Sequence, residues 1–189
     1  MPDIVPSVFV HIPKTAGRAV LRVVRQYPDQ ITLIGHSRPK ASHHQLFSFG
    51  FTRHPATRLR SAFYHLIDVP PDAPDTKYIR FRLHLLETYG HDFERFILAK
   101  GFAEYQFPHL KPMTWWSPLS FDFLGRFETI DKDWKRLCET IRLPYEPLTH
   151  DPAHATDYSK ASPVTPQMIR VIREHYAQDF VRFRYGDTP

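Results

Sequence analysis

From Val8 to Val24 the chain reads VFVHIPKTAGRAVLRVV, and no other stretch restricts the fold as much. The run VFVHI has the length and the β-branched and aromatic content of a buried strand, and Pro13 closes it. Beyond the loop, Val20, Val23, Val24 and Tyr27 follow helical spacing, with Arg18, Arg22 and Arg25 on the other face. A buried strand that passes through a short loop into an amphipathic helix predicts a βαβ-type layered fold. In such folds ligands sit beyond the carboxyl ends of the strands, where helix N-termini point their N–H groups outward.

The rest of the chain repeats the alternation. ITLIG, LFSFGFTR and FDFLGRF are further strand candidates. The stretch HPATRLRSAFYHLI predicts a helix with Pro55 in its first turn and an apolar stripe of Leu59, Ala62, Phe63 and Leu66. Helical segments are expected around Tyr78 to Thr88 and Asp92 to Ala99. DKDWKRLCETIRL is expected to be a helix that turns Trp134, Leu137, Cys138 and Ile141 inward, and TPQMIRVIREHY one with a threonine cap. The densest breaker run, DVPPDAPD, is short enough to be an exposed loop, and no repeat or low-complexity segment occurs. The expectation is an α/β protein with a mainly parallel central sheet, folded as one domain over residues 1–189.

Charge and composition narrow the function classes. The formal charge of +5 suits an anionic ligand, yet no run of five or six like charges and no nucleic-acid module is present. No apolar run is long enough to cross a bilayer, and the first residues, MPDIVPSVFV, lack the pattern of a signal peptide. Cys138 is the only cysteine, which excludes an internal disulfide framework. These features predict a soluble, cytoplasmic protein that binds neither nucleic acid nor membrane.

In the loop itself, Lys14 offers a mobile positive charge, Thr15 a hydroxyl, and Gly17 a place where backbone can approach an anion. The Walker pattern GxxxxGK(S/T) is absent, because no leading glycine precedes Lys14, and no strand-end aspartate is available for Mg²⁺. Both absences disfavour a nucleoside-triphosphate kinase. A second element, FTRHPATRLRSAFYHL, places Arg53 at a strand end and Ser61 eight residues on, inside the next helix. An arginine and a helix hydroxyl can grip one phosphate by charge and hydrogen bond.

The two elements together resemble the sulfotransferase superfamily, in the branch related to carbohydrate sulfotransferases, with HIPKTAGTS at the first loop and RDPxxRxxSxY at the second. The matching residues are His11, Ile12, Pro13, Lys14, Thr15, Ala16 and Gly17, then Arg53, Pro55, Arg58 and Ser61. FLGRFETIDKDWKRLC and YAQDFVRFRYG are similar to two later family segments, so the resemblance covers nearly the whole chain. It implies a P-loop NTPase-like three-layer α/β sandwich. It also implies a co-substrate, 3′-phosphoadenosine 5′-phosphosulfate (PAPS), with adenosine 3′,5′-bisphosphate as product and no metal. By the same resemblance Lys14, Thr15, Ala16, Gly17, Arg18 and Ala19 line the sulfate end, and Arg53 and Ser61 bind the 3′-phosphate.

Sulfuryl transfer should follow the logic of phosphoryl transfer, with in-line displacement helped by positioning and charge. Lys14 would meet the charge growing on the leaving oxygen, and a general base would take the acceptor's proton. The candidate base is His36, in LIGHSRPK, since related glycan sulfotransferases have a similar glycine–histidine after the second strand. His109 resembles a residue near the acceptor site, His11 is expected to pack locally, and Glu128 is expected to serve as a structural partner. His43, His44, His150 and His154 lack a zinc-type pattern, and Pro152 breaks the helix that would align the last two. The expected acceptor is a hydroxylated small molecule or a carbohydrate, which Trp115 and Trp116 would suit.

Three positions depart from the pattern. Arg18 and Ala19 stand where two hydroxyl residues are usual, and His54 replaces an aspartate. A catalytically degenerate sulfotransferase-fold protein that binds a nucleotide or partner is therefore the alternative reading.

Overall fold

The computed structural model describes residues 3–35, 37, 40, 43, 45–103, 107–116, 120–149 and 161–189. The chain forms two compact units. The first takes in residues 1–54 and 111–153, the second residues 55–110 and 154–189.

The first unit is built on a four-stranded sheet. Strand β1 (Ser7–Val10) leads into helix α1 (Gly17–Val24) and then β2 (Ile31–Ile34), while β3 (Phe47–Thr52) and β4 (Phe123–Arg126) complete the sheet. The order is β2-β1-β3-β4, and every pairing is parallel. The sheet is thus wholly parallel, and both faces of β1 are buried, as a parallel sheet requires. Phe9 stacks on Phe49 with ring centroids 5.2 Å apart, and Phe51 and Phe123 extend this apolar face. Val20, Val23 and Val24 of α1 pack there, with Trp134, Leu137, Cys138 and Ile141 of α5 (Ile130–Ile141). These are the inward residues that helical spacing predicts. Burial pushes the Cys138 thiol up to about 12.

Successive strands fall on opposite sides of β1, since β2 lies to one side and β3 to the other. The carboxyl end of β1 is therefore a topological switch point, where the two connections diverge and leave a crevice. The loop from His11 to Ala16 begins there.

The second unit is helical. It contains α2 (Pro55–Ile67), α3 (Lys77–Tyr89), α4 (Phe93–Leu98), α6 (Pro166–His175) and α7 (Ala177–Arg182). The predicted stripe of α2 is fully buried, but Arg58, Ser61 and Tyr64 are buried as well, so this helix is enclosed nearly all round. Its C-terminal carbonyls need donors. Arg82 supplies them, with Nε donating to Leu66 O at 2.8 Å and Nη2 donating to His65 O at 3.0 Å and to Asp68 O. Thr76, Asp92 and Thr165 cap the first turns of α3, α4 and α6 by accepting from backbone N–H groups.

Candidate functional site

Beyond β1 the backbone takes a conformation that its sequence does not advertise. Lys14 and Ala16 both have φ of 68°, in the left-handed region that only glycine enters without cost. Alternation of this kind turns successive N–H groups toward one concavity, the geometry of an anion nest. The Thr15 hydroxyl donates to Ile12 O at 2.9 Å and so ties the loop across its mouth. Ala16 precedes α1 without a side-chain cap, and its carbonyl takes the N–H of Ala19 at 3.0 Å. Among the described residues the N–H groups of Gly17 and Arg18 have no acceptor, so the helix N-terminus keeps donors for a ligand.

Gly17 has a reason of its own to lack a side chain. A Cβ placed there would collide with Cδ2 and Nε2 of His11. The His11 ring lies parallel to Phe9, with centroids 6.0 Å apart and planes 17° apart, and so fills the space under the start of α1. His11 packs locally, as the sequence suggests. Gly17→Ala is expected to cost about 1–3 kcal/mol through overpacking. Adding His11→Ala should recover most of the loss, which urea denaturation of the single and double variants would measure.

Three cations gather around this loop. Burial, then the charges of Arg53 and Arg18, lower the Lys14 pKa from 10.5 to about 8. Arg53 follows the last residue of β3, and its Nη1 donates to Lys14 O at 3.4 Å. Its guanidinium carbon stands 3.9 Å over the Phe127 ring. Next in the chain, His54 donates its N–H to Glu128 Oε1 at 2.7 Å, which fixes the turn after β3. Phe127 was not legible as a neighbour of Arg53, and Glu128, expected as a structural partner, holds the His54 backbone. Asp133 holds the following turn by accepting from Arg126 N at 2.9 Å and from the Thr129 hydroxyl at 2.7 Å.

A lysine held near 8 is still charged at neutral pH, and an anion bound beside it would raise its pKa again. Affinity for an anionic ligand should therefore be flat below pH 8 and fall above it, as Lys14 loses its proton in the free protein. Titration calorimetry between pH 6.5 and 9.5 would show this, with proton uptake on binding above pH 8.

Arg18 is exposed at the start of α1, and Ala19 is half-buried. His36 lies outside the described residues, as do His44, His150 and His154. Ser61 belongs to the second unit and is buried in α2. In that unit Arg58 is wholly buried, and its Nη1 donates to His109 O at 3.2 Å. Trp116 is buried in the first unit, while Trp115 is half-buried with Lys111 Nζ 4.2 Å over its ring. Among the described residues no group of three or more His, Cys, Asp or Glu is placed to hold a metal, and no helix is long and apolar enough to cross a membrane.

A family model described as the sulfotransferase family matches residues 7–186. No curated protein and no solved structure gives a match.

Proposed function

Because the chain belongs to the sulfotransferase family, we propose that it moves a sulfuryl group from PAPS to an acceptor hydroxyl on a carbohydrate or other small hydroxylated compound. The observation that carries this reading is the convergence of Lys14, Arg18 and Arg53 on a loop whose open N–H groups and left-handed turns suit a highly charged anion. The loop N–H groups and Lys14 would take the phosphosulfate, and Arg53 the 3′-phosphate. Ser61 lies in the other unit, and its share in that phosphate rests on the motif. Both units are read as parts of one domain that acts in the cytoplasm.

In the reaction, a bond forms between the acceptor oxygen and sulfur as the bond from sulfur to the 5′-phosphate oxygen breaks. Negative charge appears on that departing oxygen, and the Lys14 ammonium meets it. The acceptor proton passes to a base, the role proposed for His36. Lys14, Arg53 and Arg18 would supply the positive charge that the donor's anionic end requires, with no metal invoked.

Calorimetry tests the donor. Adenosine 3′,5′-bisphosphate should bind at least about tenfold more tightly than adenosine 5′-monophosphate, as expected for one charge-assisted phosphate contact. Equal affinities would overturn the assignment. A non-catalytic, nucleotide-binding reading draws on Arg18 and Ala19, which bring no hydroxyl to the loop. Labelled-sulfate transfer from PAPS to a panel of hydroxylated acceptors separates the two, with His36→Ala as the test of the base.

A further inference from the structure

Arg53 does not wait for its ligand as a loose side chain. Thr52 pairs with Arg126 in the parallel ladder of β3 and β4, so the residues leaving the two strands emerge side by side. Those residues are Arg53 and Phe127, and the guanidinium lies 3.9 Å over the ring. Glu128, next in the chain, binds the N–H of His54 at 2.7 Å and so holds the backbone on the other side of Arg53. Lys14 O accepts from Nη1 at 3.4 Å. Stacking on an aromatic ring uses the face of the guanidinium plane, whereas phosphate is gripped through the in-plane N–H fork. The two contacts are therefore compatible. A fork already held in one plane loses less freedom when phosphate arrives than a side chain that must first be ordered.

We propose that Phe127 is a positioning residue for the 3′-phosphate: its ring holds the Arg53 guanidinium in the binding orientation and thereby sets the preference for a 3′-phosphorylated nucleotide. This rests on the donor reading given above. Nothing in the sequence marks Phe127 for the task except its place directly after a strand that turns out to adjoin β3.

The test compares adenosine 3′,5′-bisphosphate with adenosine 5′-monophosphate by titration calorimetry on the intact protein. Phe127→Leu should lower the preference for the bisphosphate roughly fivefold, the size expected for losing one partly shielded cation–π contact, and leave the monophosphate unchanged. Phe127→Tyr, which keeps the ring, should retain the wild-type preference. In an Arg53→Ala background Phe127→Leu should change nothing further. A Leu variant that melts like wild type and keeps its preference overturns the proposal, as does equal weakening of both nucleotides. Should the Leu variant fail to fold, loss of preference in a folded Phe127→Tyr variant overturns it instead. A wild-type protein with no preference for the 3′-phosphate removes the donor reading itself, and this proposal falls with it.

Discussion

Lys14→Ala is expected to lower sulfuryl transfer about a hundred- to a thousandfold, the range seen when one preorganised charge is removed from a transition state. The loss should fall on turnover more than on affinity for adenosine 3′,5′-bisphosphate, because charge on the departing oxygen is greatest during the transfer. Folding should not suffer. The Lys14 pKa is lowered from 10.5 to about 8, so its charged form is penalised in the folded state. Below pH 8 both folded and unfolded chains carry the proton, and the full penalty stands. Between about pH 8 and 10.5 the folded chain gives up its proton first, and the penalty is relieved. The alanine variant should therefore be at least as stable as wild type at pH 7, with any advantage shrinking toward pH 10.5. Transfer assays with labelled PAPS, set beside melts at the two pH values, would show both effects. An inactive variant that is also unfolded would contradict this account.

Arg58→Ala should have the largest effect on stability, costing about 3–5 kcal/mol as the removal of one partner from a buried charge pair. Arg58 and Asp179 are both fully buried in the second unit. Desolvation lowers the Arg58 pKa, while Tyr176 and Asp179 act to raise it. Alanine would leave the Asp179 carboxylate in the interior without this cation and remove the donor to His109 O. It would also open space beside Tyr176, whose hydroxyl donates to Leu110 O and whose pKa burial raises. The turn from Pro108 to Leu110 is thus held at two successive carbonyls by two buried side chains. Since whole-domain stabilities are only about 5–15 kcal/mol, the variant should unfold at markedly lower denaturant with little change in slope. Arg58→Lys should recover only part of the loss, because an ammonium lacks the planar fork.

The contrast between Lys14 and Arg58 shows what a sequence can carry. Lys14 and Gly17 were legible because a lysine, a hydroxyl and a glycine at a strand–helix junction are a local signal. The four strands were legible for the same reason, since each is a short apolar run bounded by turn residues. The left-handed turns were not, because neither Lys14 nor Ala16 is a glycine and local propensity argues against φ of 68° at either. Phe127 was hidden because its place beside Arg53 depends on β4 pairing with β3, although residues 53–122 separate the two strands. Arg58 gave no sign of its depth, since one arginine in a helix that also carries Arg60 reads as surface. Helix α7 went unread because it buries Asp179 and Phe180 and exposes Val181, so its six residues show no apolar stripe. In Gly17 the expected reason was anion approach, and the structure supplies a nearer one in the His11 ring.

Cys138 has a practical consequence. It is the chain's only cysteine, it is buried among the residues of α5, and its thiol is pushed up to about 12. At neutral pH almost none of it is thiolate, the form that alkylating reagents attack. The native protein therefore behaves as a cysteine-free background for chemical labelling. A cysteine introduced at an exposed position such as Arg25 or Lys132 would be the one thiol to react, so a single fluorophore or spin label could be installed without first removing Cys138 from the core.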